Sequence, residues 1–227
     1  MRYTHILLDA DDTLFDFHEA ERQAISRLIE LIGADVTDEN IRLYSAINDD
    51  WWRRFEKKEV TMPELSAGRF TDFTAALGLS GFDGAELSSS YRRFLGECSV
   101  MLDGAYDALR ILSARYKVFI ITNGFADVQR SRLARSGIES FLSGIFISEE
   151  IGFSKPSREY FDYVLANLDT DDKSSILVVG DSLRSDILGG ISYGLDTCWL
   201  NRRGIDCGDL RPTYTIASIA QLLDILA

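Results

Sequence analysis

Four short runs of β-branched and apolar residues, 118–122, 145–148, 176–179 and 197–200, recur at intervals of about 20 to 30 residues, with helical patterning between them. Strands laid parallel need a long crossover between them, usually a helix, so this spacing predicts βα units around a parallel sheet. A fifth run, 6–8, lies far ahead of the others. Between it and the 118–122 run, apolar residues take helical spacing instead: Ile25, Leu28, Ile29 and Ile32 fall at i, i+3, i+4 and i+7. Turn chemistry at 33–37, 61–63 and 78–84 divides this segment into about four helices. The expected architecture is a doubly wound α/β core formed by residues 1–15 and 101–227, with an all-α insertion over 16–100. A helix over 216–226 is expected to close the chain. No internal repeat or low-complexity segment is present.

Composition narrows what such a core can do. The chain has 227 residues, 46% of them hydrophobic, enough for an α/β domain plus an insertion. With 24 Lys and Arg against 36 Asp and Glu, the formal net charge of −12 repels a phosphodiester backbone, so no nucleic-acid polymer is expected as partner. No apolar stretch approaches a membrane span, and the 6–8 run is too short for a signal-peptide core, so a cytoplasmic protein is expected. Cys98, Cys198 and Cys207 are odd in number and have no CxxC spacing, which points to neither a disulfide framework nor a thiolate metal site. His5 and His18 are the only histidines, so carboxylates must carry any acid-base chemistry.

Ligands of open parallel sheets bind beyond the carboxyl ends of the strands. The residues there are Asp9-Ala10-Asp11-Asp12-Thr13, then Thr122-Asn123-Gly124, then Gly152-Phe153-Ser154-Lys155-Pro156, then Gly180-Asp181-Ser182-Leu183-Arg184-Ser185-Asp186. Taken singly, most have an ordinary reading: Asp9 and Asp11 as turn residues, Thr122 and Asp181 as helix caps, Asp186 as an acid in a helix's first turn. Lys155 fits that reading less well. Pro156 suits the first position of a following helix, which sets the Lys155 cation at the positive end of a dipole. Asp9, Asp11, Asp181 and Asp186 are expected to converge on Lys155. Each close like-charge pair costs about 4 kcal/mol at 4 Å with an effective dielectric of 20, so a divalent cation is required. Oxygen-only donors favour Mg²⁺, and such a site with Lys155 and the Thr122 hydroxyl suits a phosphoryl group.

In type and order these residues resemble the four motifs of the haloacid dehalogenase superfamily: DxDxT at Asp9 to Thr13, then Thr122, Lys155, and GDSxxxD at Gly180 to Asp186. The resemblance covers the whole chain and implies a Rossmann-like core with the helical insertion as its cap, closing over the site. It implies Asp9 as the nucleophile that forms an aspartyl-phosphate and Asp11 as the general acid and base. Thr122 and Lys155 would hold the phosphoryl oxygens, and Thr13 would orient the nucleophile loop. Its metal ligands map onto the Asp9 side chain, the Asp11 main-chain carbonyl and the Asp181 side chain, with Asp186 in or beside the shell. A carboxylate two residues after the nucleophile favours phosphatases over dehalogenases. Closer likeness, in Asp9 to Phe15, Ile121 to Phe125 and Cys198 to Asn201, is to the superfamily's bacterial nucleoside 5′-monophosphatases. That implies a small phosphorylated substrate, a pyrimidine or noncanonical nucleotide, handled by a monomer or homodimer. The Asp at position 12 stands where Gly or Glu is commoner.

Substrate contacts are expected from Thr13 and Asn123, and on the insertion from Trp51, Trp52 and Arg69, although core packing is the commoner role for such aromatics. Other readings are a sugar-phosphate phosphatase or phosphoglucomutase-like enzyme and, from another class, a receiver-like signalling module. Receivers carry their phosphorylated Asp after the third strand, where Glu149 and Glu150 stand here. Gly190 to Gly194 matches a nucleophile elbow, GxSxG, but no histidine follows it. There is no GxGxxG or Walker A motif.

Overall fold

The computed structural model describes residues 2–227. β1 (His5–Leu8) is followed by four helices, α1 (Phe17–Leu31), α2 (Asp38–Glu56), α3 (Met62–Ala76) and α4 (Gly84–Gly96). Next come α5 (Ala105–Ser113), β2 (Lys117–Thr122), α6 (Ala126–Ser136), β3 (Gly144–Ile147), α7 (Ser148–Ile151) and α8 (Arg158–Ala166). β4 (Ile176–Gly180), α9 (Leu188–Ser192), β5 (Asp196–Leu200), β6 (Tyr214–Ile216) and α10 (Leu222–Ile225) complete the chain. Two compact units result: the residues up to Phe17 with Ser99–Ala227, and His18–Cys98.

In the first unit all six strands are parallel, in the order β3-β2-β1-β4-β5-β6. β1, β2, β4 and β5 are buried on both faces along nearly all their length, which is why these runs read as nearly continuous apolar sequence. Alternate residues serve opposite faces. Ile6, Leu8, Val118, Ile120, Leu177 and Val179 pack with Ala105, Leu109 and Leu112 of α5, Leu133 of α6 and Leu222 of α10. Leu7, Phe119, Ile121 and Val178 pack with Tyr160, Phe161 and Val164 of α8. The order reverses between β1 and β4, so their carboxyl ends flank the topological switch point where doubly wound sheets open a crevice. The register brings those ends level: Leu8 pairs with Ile120 and with Val179.

Three expectations are corrected here. β6 is a sixth strand, with Ile216 paired to Leu200, so position 216 belongs to the sheet. The closing helix is a 3₁₀ turn, Ile219–Gln221, running into the short α10. Pro156 is not the first residue of α8; Ser157 caps that helix, accepting from the Tyr160 amide, and α8 begins at Arg158.

The second unit holds α1 to α4. Thr37, Thr61 and Asp83 cap α2, α3 and α4, and Thr61 forms a reciprocal capping box with Glu64. Tyr44, Phe70, Phe73 and Tyr91 form an aromatic centre with ring centroids 5.2 to 5.5 Å apart. Beside it runs a buried polar chain, in which Asn48 donates to Glu21 at 2.8 Å and Arg69 donates to Asn48 at 2.6 Å. Gly68 lets α3 approach α2, because a Cβ there would lie 2.2 Å from the Trp51 ring.

Candidate active site

The chain leaves β1 through Asp9, whose amide donates to the Val179 carbonyl at 2.9 Å and so ties the loop to the end of β4. The loop then folds back on itself. The amides of Leu14 and Phe15 both donate to the Ala10 carbonyl, and Asp12 takes a left-handed conformation at φ 55°. Aspartate tolerates that region better than most residues. Thr13 is buried, and its hydroxyl accepts from the Asp181 amide at 3.1 Å, joining the loop after β1 to the loop after β4.

Lys155 is 2% exposed and uses all three of its ammonium hydrogens. They go to Asp9 Oδ1 at 2.6 Å, Asp186 Oδ1 at 2.6 Å and the Ile121 carbonyl at 2.8 Å. Its main chain is held as firmly, since Asn123 donates to the Lys155 carbonyl and accepts from its amide, both at 2.9 Å. Both ends of the Asn123 amide are therefore engaged with Lys155, where the sequence reading had expected a substrate contact. The Thr122 hydroxyl accepts from the Gly124 amide at 3.0 Å. Asp186 lies in a π-helical turn, Leu183–Ile187, fully buried, with Oδ2 accepting from the Ser182 amide at 3.1 Å. A Cβ on Gly180 would sit 2.2 Å from the Asp186 carboxylate, so only glycine fits there.

Carboxylate oxygens of Asp9, Asp181 and Asp186 lie within 4.8 Å of one another and could hold a metal ion. Lys155 bonds two of the three, and no hydrogen bond reaches the Asp181 side chain among the described residues. Burial, reinforced by the Asp9 and Asp186 charges, pushes the Asp181 carboxyl up to about 9. Burial also raises Asp9, to about 7, against the pull of Lys155. Burial disfavours the Lys155 ammonium, yet Asp186 and Asp9 outweigh it and raise its affinity for the proton. An orphaned carboxylate in an oxygen-only cluster with surplus negative charge fits a hard divalent cation.

The fourth acid does not join them. Asp11 turns to α6, where Gln129 Nε2 donates to its Oδ2 at 2.6 Å and Arg132 pairs with its Oδ1. The sequence reading passed over both partners. Arg69 is also corrected: it is 2% exposed, bonded to Asn48 and set over the rings of Phe70 and Tyr91 inside the helical unit. Trp51 and Trp52 are half-buried, Trp51 donating to Asp72 at 2.9 Å and Trp52 packing edge-on against Phe55.

The switch-point crevice thus gathers a pinned aspartate, a buried lysine and an acid cluster that could hold a metal. The haloacid dehalogenase-like hydrolase family model matches residues 3–194. The chain is similar to YfnB of Bacillus subtilis, a protein assigned to the HAD-hydrolases, with 39% identity over 99% of this chain and 96% of that one. A YfnB crystal structure bound to magnesium superposes with a TM-score of 0.94, covering 100% of this chain and 99% of the other. The pyrimidine 5′-nucleotidase YjjG of Escherichia coli is 34% identical, over 100% of this chain and 99% of that one. The pyrimidine 5′-nucleotidase PynA of Streptococcus pneumoniae is 33% identical, over 100% and 96%. The chain belongs to the haloacid dehalogenase-like hydrolases. It is an enzyme of their phosphatase kind.

Proposed function

We propose that the chain is a Mg²⁺-dependent nucleoside 5′-monophosphatase working through an aspartyl-phosphate on Asp9. The observation that carries the mechanism is the asymmetry of Asp9: Lys155 fixes Oδ1, while Oδ2 accepts no hydrogen bond among the described residues and is the nucleophilic oxygen. Oδ2 forms a bond to phosphorus as the ester P–O bond breaks, and Asp11 gives its proton to the leaving 5′-oxygen. Water then attacks phosphorus, Asp11 takes its proton, and the acyl-phosphate P–O bond breaks to restore Asp9. Asp9, Asp181, the Asp11 main-chain carbonyl and Asp186 would hold the magnesium ion, which supplies charge neutralisation at the phosphoryl oxygens. Lys155 screens Asp9 from Asp186, and Thr122, at the end of β2, would bind the phosphoryl group through its hydroxyl.

The nucleotide preference rests on YjjG and PynA, which match along nearly their whole length and are both named as pyrimidine 5′-nucleotidases. Trp51 and Trp52 are proposed to help select the base; a nucleotide ranking left unchanged in Trp51→Ala and Trp52→Ala would withdraw that part. The test is phosphate release from nucleoside 5′-monophosphates and sugar phosphates, with Mg²⁺ and with EDTA. Pyrimidine nucleotides are expected to turn over fastest, EDTA to stop release, and Asp9→Asn to lower it by roughly 10³-fold or more. No release from any phosphomonoester would overturn the proposal, and a preference for sugar phosphates would replace its substrate.

A further inference from the structure

Asp11 is two residues from Asp9 on the same loop, yet the cluster of neighbouring carboxylates is Asp9, Asp181 and Asp186. What separates it is α6. Gln129 and Arg132 stand one turn apart on that helix, at i and i+3, and so share a face. Each holds one oxygen of the Asp11 carboxylate, Gln129 at 2.6 Å from Oδ2 and Arg132 at Oδ1. Both are interior, Gln129 1% and Arg132 0% exposed, which is rare for an arginine without a fixed task. Their own positions are set in turn. A Cβ on Gly124 would lie 2.2 Å from Gln129 Nε2, so the bare glycine two residues ahead of α6 leaves room for the amide. The Arg132 guanidinium lies 4.5 Å over the Phe15 ring, and Phe15 is bridged to both Asp11 and Met101.

We propose that Gln129 and Arg132 are positioning residues for the proton-transfer step, fixing the Asp11 carboxyl beside the ester oxygen and away from the acid cluster. This rests on Asp11 being the general acid and base. In the first step the P–O(ester) bond breaks, Asp9 Oδ2 bonds to phosphorus, and the proton of Asp11 passes to the leaving oxygen. An alkoxide leaving group needs that proton at the moment of cleavage, whereas p-nitrophenolate leaves without it. Losing one of two anchors lets the carboxyl turn, so the cost falls on the alkyl ester alone. A merely structural defect slows both substrates alike.

The experiment measures single-turnover phosphorylation of Asp9 by acid quench, with Mg²⁺ present, from a pyrimidine nucleoside 5′-monophosphate and from p-nitrophenyl phosphate. The variants are Gln129→Met, Arg132→Met, Arg132→Lys and Asp11→Asn. In Gln129→Met and Arg132→Met the nucleotide rate is expected to fall by about 10-fold or more relative to the p-nitrophenyl phosphate rate. Arg132→Lys should recover part of the ratio, and Asp11→Asn should show the largest shift. Equal losses on both substrates, or no change in the ratio at either position, overturn the positioning role while a shift in Asp11→Asn keeps the acid. An Asp11→Asn ratio equal to wild type removes the acid itself. Gln129→Met is nearly isosteric and carries the test if the buried Arg132→Met chain does not fold.

Discussion

At the scale of single residues, Lys155 is held from three directions: one ammonium bonds two buried carboxylates and a strand carbonyl. Lys155→Met leaves Asp9 and Asp186 as uncompensated buried charges, and urea unfolding without metal should show a loss of about 3–5 kcal/mol. The positions of Asp9, Thr122, Lys155, Asp181 and Asp186 were legible because each follows an apolar run, and strand ends of a parallel sheet share one edge. Gln129 and Arg132 were not. On α6 they read as part of an ordinary polar face, and their partner Asp11 is 118 and 121 residues away in the chain. Asn123 was legible as a member of the edge, but its amide serves the Lys155 main chain, a pairing with no local signature.

At the scale of elements, the helical unit contains a second buried acid with a measurable consequence. Glu21 of α1 accepts from Asn48 and Ser45 of α2, and burial, against the Ser45 bond, holds its carboxyl above the usual glutamate range. An acid raised in the folded chain contributes full stability below its ordinary titration range and loses it as pH rises through the folded value. Glu21→Gln should therefore gain on wild type as the pH is raised from 4 to 7, read from urea midpoints. A constant difference across that range would show that the Glu21 carboxyl titrates alike in the folded and unfolded chains and is not raised by burial. The four helices of this unit were visible from their breaks, since Thr37, Thr61 and Asp83 are cap residues in sequence as in structure. β6 was not, because three residues at a sheet edge are too few to show alternation, and Ile216 then completes a false helical pattern with Ile219 and Leu222.

At the scale of the whole molecule, the parallel order follows from strand spacing, whereas the position of the reversal between β1 and β4 that opens the crevice has no local signature in the sequence. No helix among the described residues is long and apolar enough to cross a membrane. A cation bound only by the folded acid cluster must stabilise the entire fold by mass action. Magnesium at about 100 times its dissociation constant should raise the unfolding free energy by about 2.7 kcal/mol. Asp181→Asn should abolish most of that gain without lowering metal-free stability, because burial disfavours the ionised Asp181; a full magnesium response in the variant would exclude Asp181 as a ligand.

The central place of β1 also governs when the molecule can be assembled. Its two neighbours begin at Lys117 and Ile176, so closing them onto His5–Leu8 is a long-range event, slow compared with docking α1 to α4, whose contacts are local. On a ribosome those helices emerge before either neighbour exists. Asp9, which waits for the Val179 carbonyl, is synthesised 170 residues before the group that seats it.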